Sequence, residues 1–192
     1  MQKRAIAVGS ILALAGFLEL ASEAEAKTVI KNPDEHPDYR AELEPHGTLV
    51  LWHRYYNRRY RYYGRGPFET PEFGAGFRAT IEIADPAFIP KINNTVGITF
   101  GIDATTCRYC YREDVTLWLP VAMQWNFFLT DKWSVFAELG LVPRIDGFND
   151  VYAYLDPLFE LGGRYHFNDT VALTMRIGYP FINVGVSFFV GG

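Results

Sequence analysis

Cysteine and histidine are scarce in this sequence, and no long apolar run follows its first 26 residues. Cys107 and Cys110 are the only cysteines; with no second C-x-x-C and no close histidine pair, they do not complete a four-ligand zinc site. A redox role of the thioredoxin kind would need a βα setting that the surrounding sequence lacks. Beyond residue 26 the histidines are His36, His46, His53 and His166 and the serines Ser134 and Ser187. There is no Gly-x-Ser-x-Gly and no phosphate loop, so no enzymatic activity and no cofactor are expected. A formal net charge of -4 gives no overall attraction to nucleic acid. No later stretch has a helical period or the ~20 apolar residues that a spanning helix requires. If the chain crosses a membrane, it does so with strands.

What is present fits that route. Hydrophobic residues make up 49% of the chain and aromatics 16%, with 17 glycines, a mixture suited to strands and tight turns. The N-terminus has the pattern of a secretory signal: Lys3 and Arg4, an apolar stretch from Ala5 to Leu18, then Ala24-Glu25-Ala26. Cleavage is expected after Ala26, since the stretch is short for an anchor and Glu19 interrupts it. Residues 27–39, with Pro33, Asp34, Glu35 and Pro37, read as a loose polar lead, and 40–192 as one domain.

Within that domain, alternation of period two marks eight strands near 40–53, 73–84, 94–103, 115–129, 132–143, 153–167, 170–179 and 181–190. Their length matches the ~9–11 residues of a tilted membrane strand. Thr130-Asp131 and Asn168-Asp169 make short turns, whereas 54–72, 104–114 and 144–152 are longer and charged. Short turns at one end and long loops at the other are the habit of outer-membrane barrels.

The alternation sorts the residues into two faces. One is bulky and apolar, as in Phe73, Phe77, Ile81, Val96, Ile98, Phe100, Leu139, Phe159, Met175 and Phe188. The other mixes glycine with Arg78, Glu82, Glu138, Glu160, Arg164 and Arg176. A soluble barrel points its apolar face inward. Charges of both signs beside glycines instead suit a narrow lumen of ion pairs, with the apolar face towards lipid. Trp118 and Phe128 fall on the polar face, and Pro45 and Gly47 make the first strand untidy. Aromatics near strand ends (Trp52, Trp125, Trp133, Tyr152, Tyr154, Tyr165, Phe167, Tyr179) suit two interfacial girdles.

From about Arg40 to Gly192 the chain resembles the small eight-stranded outer-membrane barrels, the group with OmpA-, OmpX- and OmpW-like domains. The hairpins "FFLTDKWSVFAELGL" and "GGRYHFNDTVALTMRIGYP" and the last strand carry the likeness. Such families close on a strand of form Gly-x-x-aromatic-x-hydrophobic, matched here by Gly185, Phe188 and Val190. The family ends on an aromatic, whereas this sequence ends Val190-Gly191-Gly192. The resemblance implies an all-β, eight-stranded, antiparallel up-and-down transmembrane barrel in a bacterial outer membrane. It also implies the barrel assembly machinery as a partner.

Two loop segments are unusual. Arg54, Arg58, Arg59, Arg61 and Arg65 interleave with Tyr60, Tyr62 and other tyrosines, a set able to pair with phosphates and stack on planar groups. In an external loop the available anions are lipopolysaccharide phosphates and surface glycans. Cys107 and Cys110 are expected to staple their loop as a disulfide outside the cytoplasm. The expectation is a monomeric, non-enzymatic barrel acting through envelope structure or its external loops. Two alternatives are a barrel that binds or conducts a small hydrophobic molecule, with Trp118 and Phe136 at its mouth, and a soluble lipocalin-like binder.

Overall fold

The computed structural model describes residues 26–33, 35–50, 55–57, 60–63, 71–86, 88–106, 115–146 and 152–191. Arg54, Arg58, Arg59, Arg65, Cys107, Cys110 and nearly all of the signal segment lie outside the described residues. The strands are β1 (Ala41–Val50), β2 (Glu72–Ala84), β3 (Asn94–Thr106), β4 (Val115–Trp118 and Val121–Phe128), β5 (Trp133–Asp146), β6 (Tyr152–Asn168), β7 (Val171–Tyr179) and β8 (Phe181–Val190). Each pairs antiparallel with its neighbour in sequence, and β1 pairs with both β2 and β8. The sheet is therefore a closed eight-stranded barrel with no free edge.

Side-chain chemistry explains the turns. The Asn168 carboxamide oxygen accepts from the amides of Thr170 and Val171, both at 2.9 Å, which bends the chain from β6 into β7. The Thr130 hydroxyl accepts from the Trp133 amide at 2.9 Å and does the same between β4 and β5. β4 is broken at Leu119-Pro120, because proline has no amide to give the ladder. The neighbouring groups still bond: Gly101 N donates to the Pro120 carbonyl and Leu119 N to the Pro143 carbonyl. Between β1 and β2, Tyr55–Asn57 pairs with Tyr60–Tyr63 in a separate hairpin, where the sequence suggested only a loop.

The lead is not loose. Thr28 bridges Thr130, Val29 N donates to the Leu129 carbonyl, and Asn93 N donates to the Ile30 carbonyl. The segment lies across the end of the barrel that carries the short hairpins. It is polar in composition, yet it buries Val29 and Tyr39 against Phe128, Ala172 and Phe189. Burial holds the Tyr39 hydroxyl well above the usual phenol range. Hydrogen bonds from Lys27 and then Asn32 hold the exposed Glu35 carboxyl below its usual value.

Candidate functional site: an ionic lumen inside an apolar belt

Strand parity places the two faces as the alternation predicted, with opposite chemistry. On the outer wall Leu139 is 65% exposed and Phe73 63%, alongside Phe77, Ile81, Phe100, Phe159, Met175 and Phe188. One residue away from Leu139 and facing inward, Glu138 is 1% exposed. Val96 departs from the pattern. Its parity is outward, but it is buried opposite Trp125, whose ring meets Phe88 of the 85–93 turn edge-on at 5.5 Å.

The lumen is built around four buried arginines. Arg164 grips Glu42 with two bonds, Nε to Oε1 at 2.9 Å and Nη2 to Oε2 at 2.6 Å, and also reaches Asn126 and Gln124. Arg176 donates to Glu44, and through Nε to Glu138 at 3.2 Å. Arg78 Nη1 donates to both Glu138 (3.0 Å) and Glu160 (2.6 Å), which face each other across β5 and β6. Nearer the loop end, Arg144 lies 3.2 Å from both Asp146 and Asp156, and its guanidinium covers the Trp118 and Tyr154 rings. His46 Nε2 meets Asp103 at 2.8 Å, and the Thr48 hydroxyl donates to the same carboxylate. Such charges tolerate burial because Arg78, Arg164 and Arg176 donate hydrogen bonds to carboxylates and Arg144 lies within ion-pair distance of two.

Of the six charged residues expected in the lumen, five belong to this arrangement: Arg78, Glu138, Glu160, Arg164 and Arg176. Glu82 does not. It stands near the lead at the hairpin end and pairs with no cation among the described residues. Among the described residues the buried carboxylates Glu42, Glu44, Glu72, Asp103, Glu138, Asp146 and Glu160 outnumber the buried arginines. Sequence reasoning missed Glu42 and Glu44 because proline and glycine made β1 look irregular, although Glu42-Leu43-Glu44 keeps period two. It missed Arg144 and Asp146 by ending β5 three residues early.

Aromatic residues on the polar face close the lumen at both ends. Towards the loops, Trp118 and Phe181 meet edge-on at 5.2 Å in a buried layer with Val50, Ala122, Val142 and Leu158. Towards the hairpins, Phe128 stacks on His36 at 4.4 Å, and the lead completes that layer. Phe136 lies between the guanidiniums of Arg164 and Arg176, 4.0 and 4.9 Å from its ring centre. Gly162 makes that possible, since a Cβ there would fall 2.0 Å from the Phe136 ring. Alanine normally strengthens a strand relative to glycine. Gly162→Ala is nevertheless expected to destabilise by about 1–3 kcal/mol, because the ring must leave its slot. Urea titration of the folded fraction checks this, and an unchanged midpoint would refute it.

His166 and Ser187, both directed inward, do not meet. His166 Nε2 contacts the Ser134 hydroxyl at 2.9 Å, while Ser187 donates to Glu42. The His166 ring stacks on Phe189 at 5.4 Å, and Ser134 is fully buried. Among the described residues no cluster of His, Cys, Asp or Glu is arranged to hold a metal ion. Tyr60, Arg61 and Tyr62 lie on the second strand of the separate hairpin between β1 and β2. Gly185 faces the lumen, while Phe188 and Val190 face outward on β8.

A closed barrel, apolar without and ionic within, is the architecture of the small eight-stranded outer-membrane barrels. The chain is similar to the attachment invasion locus protein Ail of Yersinia pestis in its crystal structure, at 10% identity and a TM-score of 0.44, covering 79% of this chain and 98% of Ail. Ail in a phospholipid bilayer nanodisc gives 8% identity and a TM-score of 0.48, covering 80% of this chain and 100% of that one. OprG from Pseudomonas aeruginosa gives 11% identity and a TM-score of 0.42, covering 80% and 91%. No family model matches the chain, and no curated protein does.

Proposed function

We propose that this protein is a monomeric, non-enzymatic integral barrel of the bacterial outer membrane, exported with removal of its signal after Ala26. The observation that carries the reading is the contrast across one wall, Leu139 exposed beside a buried Glu138. An apolar surface that circles the barrel is stable in lipid and is an aggregation hazard in water. The interior between the two apolar layers is ionic, which does not suit a lipocalin-like binder. Trp118 and Phe136, the residues that favoured a hydrophobic conduit, are occupied in internal packing. With the lumen given over to ion pairs, function moves to the external loops.

The arginine–tyrosine segment from Arg54 to Arg65 is then the contact for lipopolysaccharide phosphates, and Gly185, Phe188 and Val190 are the signal read by the assembly machinery. Replacing Arg58, Arg59, Arg61 and Arg65 together by Gln is expected to weaken binding of the refolded protein to immobilised lipopolysaccharide. The loss should be about fourfold or more, since four exposed ion pairs at roughly 0.2–1 kcal/mol each sum to about 0.8–4 kcal/mol. Thermal stability should not change. Equal binding by the variant would remove the loop from this role.

A further inference from the structure

Two outward-facing glycines, Gly47 and Gly163, sit where a side chain would fit. A Cβ at either would meet nothing nearer than a carbonyl oxygen 3.9 Å away, and neither has a positive φ. Glycine within a strand costs backbone entropy and leaves nothing to pack, so the barrel itself gains nothing from these two. Gly47 lies between Ala75 and Val184, with a small neighbour on one side. Gly163 lies between Val135 and Met175, and the larger side chains around it turn the gap into a groove of about 340 Å³. The groove is lined by Trp133, Leu161, Met175 and Ile177 over the backbone of Gly162 and Gly163. The groove is shallow and open to the outside, so it can hold a chain along the wall but does not enclose a ligand.

The groove runs from Trp133, the first residue of β5, to the level of Ala137, which pairs with Leu161. That is roughly 14 Å along the strand from the hairpin rim at about 3.4 Å per residue. Lys132 stands at the rim immediately before Trp133, on the strand parity of the inward His166, so its ammonium reaches the lipid side by curling over the rim; it forms no ion pair among the described residues. We propose that this groove seats one acyl chain of an anionic phospholipid, whose phosphate rests on Lys132. The inference depends on the membrane-barrel reading. The groove opens onto the belt that lipid covers, and a flexible chain can follow a gap one side chain wide. A second copy of the barrel would bring a convex wall against it.

The test uses protein refolded into vesicles of equal parts phosphatidylethanolamine and phosphatidylglycerol, then released into mild detergent for native mass spectrometry. Wild type is expected to retain one phosphatidylglycerol. Gly163→Leu fills the groove and should lower that species about tenfold, the effect of roughly two methylenes losing burial. Gly47→Leu should leave it unchanged, and Lys132→Gln should abolish the preference for phosphatidylglycerol while keeping a bound lipid. If Gly163→Leu does not fold, Ile177→Trp closes the same groove from its other wall. Equal retention by wild type and the groove variants overturns the proposal. A dimer peak that Gly163→Leu removes also overturns it, by giving the groove to a second copy. Failure to insert into vesicles counts against the membrane reading itself; insertion without retained lipid counts only against this proposal.

Discussion

Arg78→Met is expected to lower the unfolding free energy by about 3–5 kcal/mol, the usual cost of removing one partner from a buried ion pair. Arg78 is fully buried, and one of its nitrogens serves both Glu138 and Glu160. Those carboxylates come from residues directly opposite each other on β5 and β6. Without the guanidinium they face each other with less compensation in a low-dielectric interior, where like charges repel strongly. Arg176 still reaches Glu138, but no other cation reaches Glu160 among the described residues. Adding Glu160→Gln to Arg78→Met should therefore restore part of the loss. Urea titrations of both variants in lipid vesicles give the two numbers. A single variant as stable as wild type, or a double variant worse than the single, would contradict the ion-pair account.

Leu139→Arg is expected to cost about 2–4 kcal/mol, the penalty for a cation on the lipid face near the bilayer midplane. Leu139 lies at the middle of β5 and is 65% exposed. In a soluble barrel the same substitution would fall within about 0.5 kcal/mol of neutral, because surface changes away from special features seldom matter more. Solvent therefore decides the size of the effect. Leu139→Ala keeps the face apolar and should cost much less than the arginine in lipid. Equal small effects for both would place Leu139 in water.

The strand order, the two faces and five of the lumen charges (Arg78, Glu138, Glu160, Arg164 and Arg176) were legible because a barrel wall obeys a strict period of two. Glu138 and Leu139 cannot exchange sides without reversing their whole strand. The lead was not legible, since its docking rests on two buried side chains, Val29 and Tyr39, and on backbone bonds to turns distant in sequence. Periodicity carries no signal for such contacts. Trp118 and Phe128 looked like flaws in the alternation, yet each anchors one of the apolar layers that close the lumen. Glu82 shows the reverse limit: its parity is right, but its height near the rim puts it beyond the reach of the arginines. Height along the barrel depends on register and stagger, which a single strand's sequence does not reveal.

The exported, lipid-facing barrel is tested most directly by electrophoretic mobility in SDS before and after boiling, using protein recovered from the membrane fraction. A closed barrel of this kind, with no free edge and an ion-paired interior, should stay folded in SDS at room temperature. It should then run at a different apparent mass from the boiled chain. Identical mobility before and after boiling, with the protein recovered only from the soluble fraction, would contradict the account.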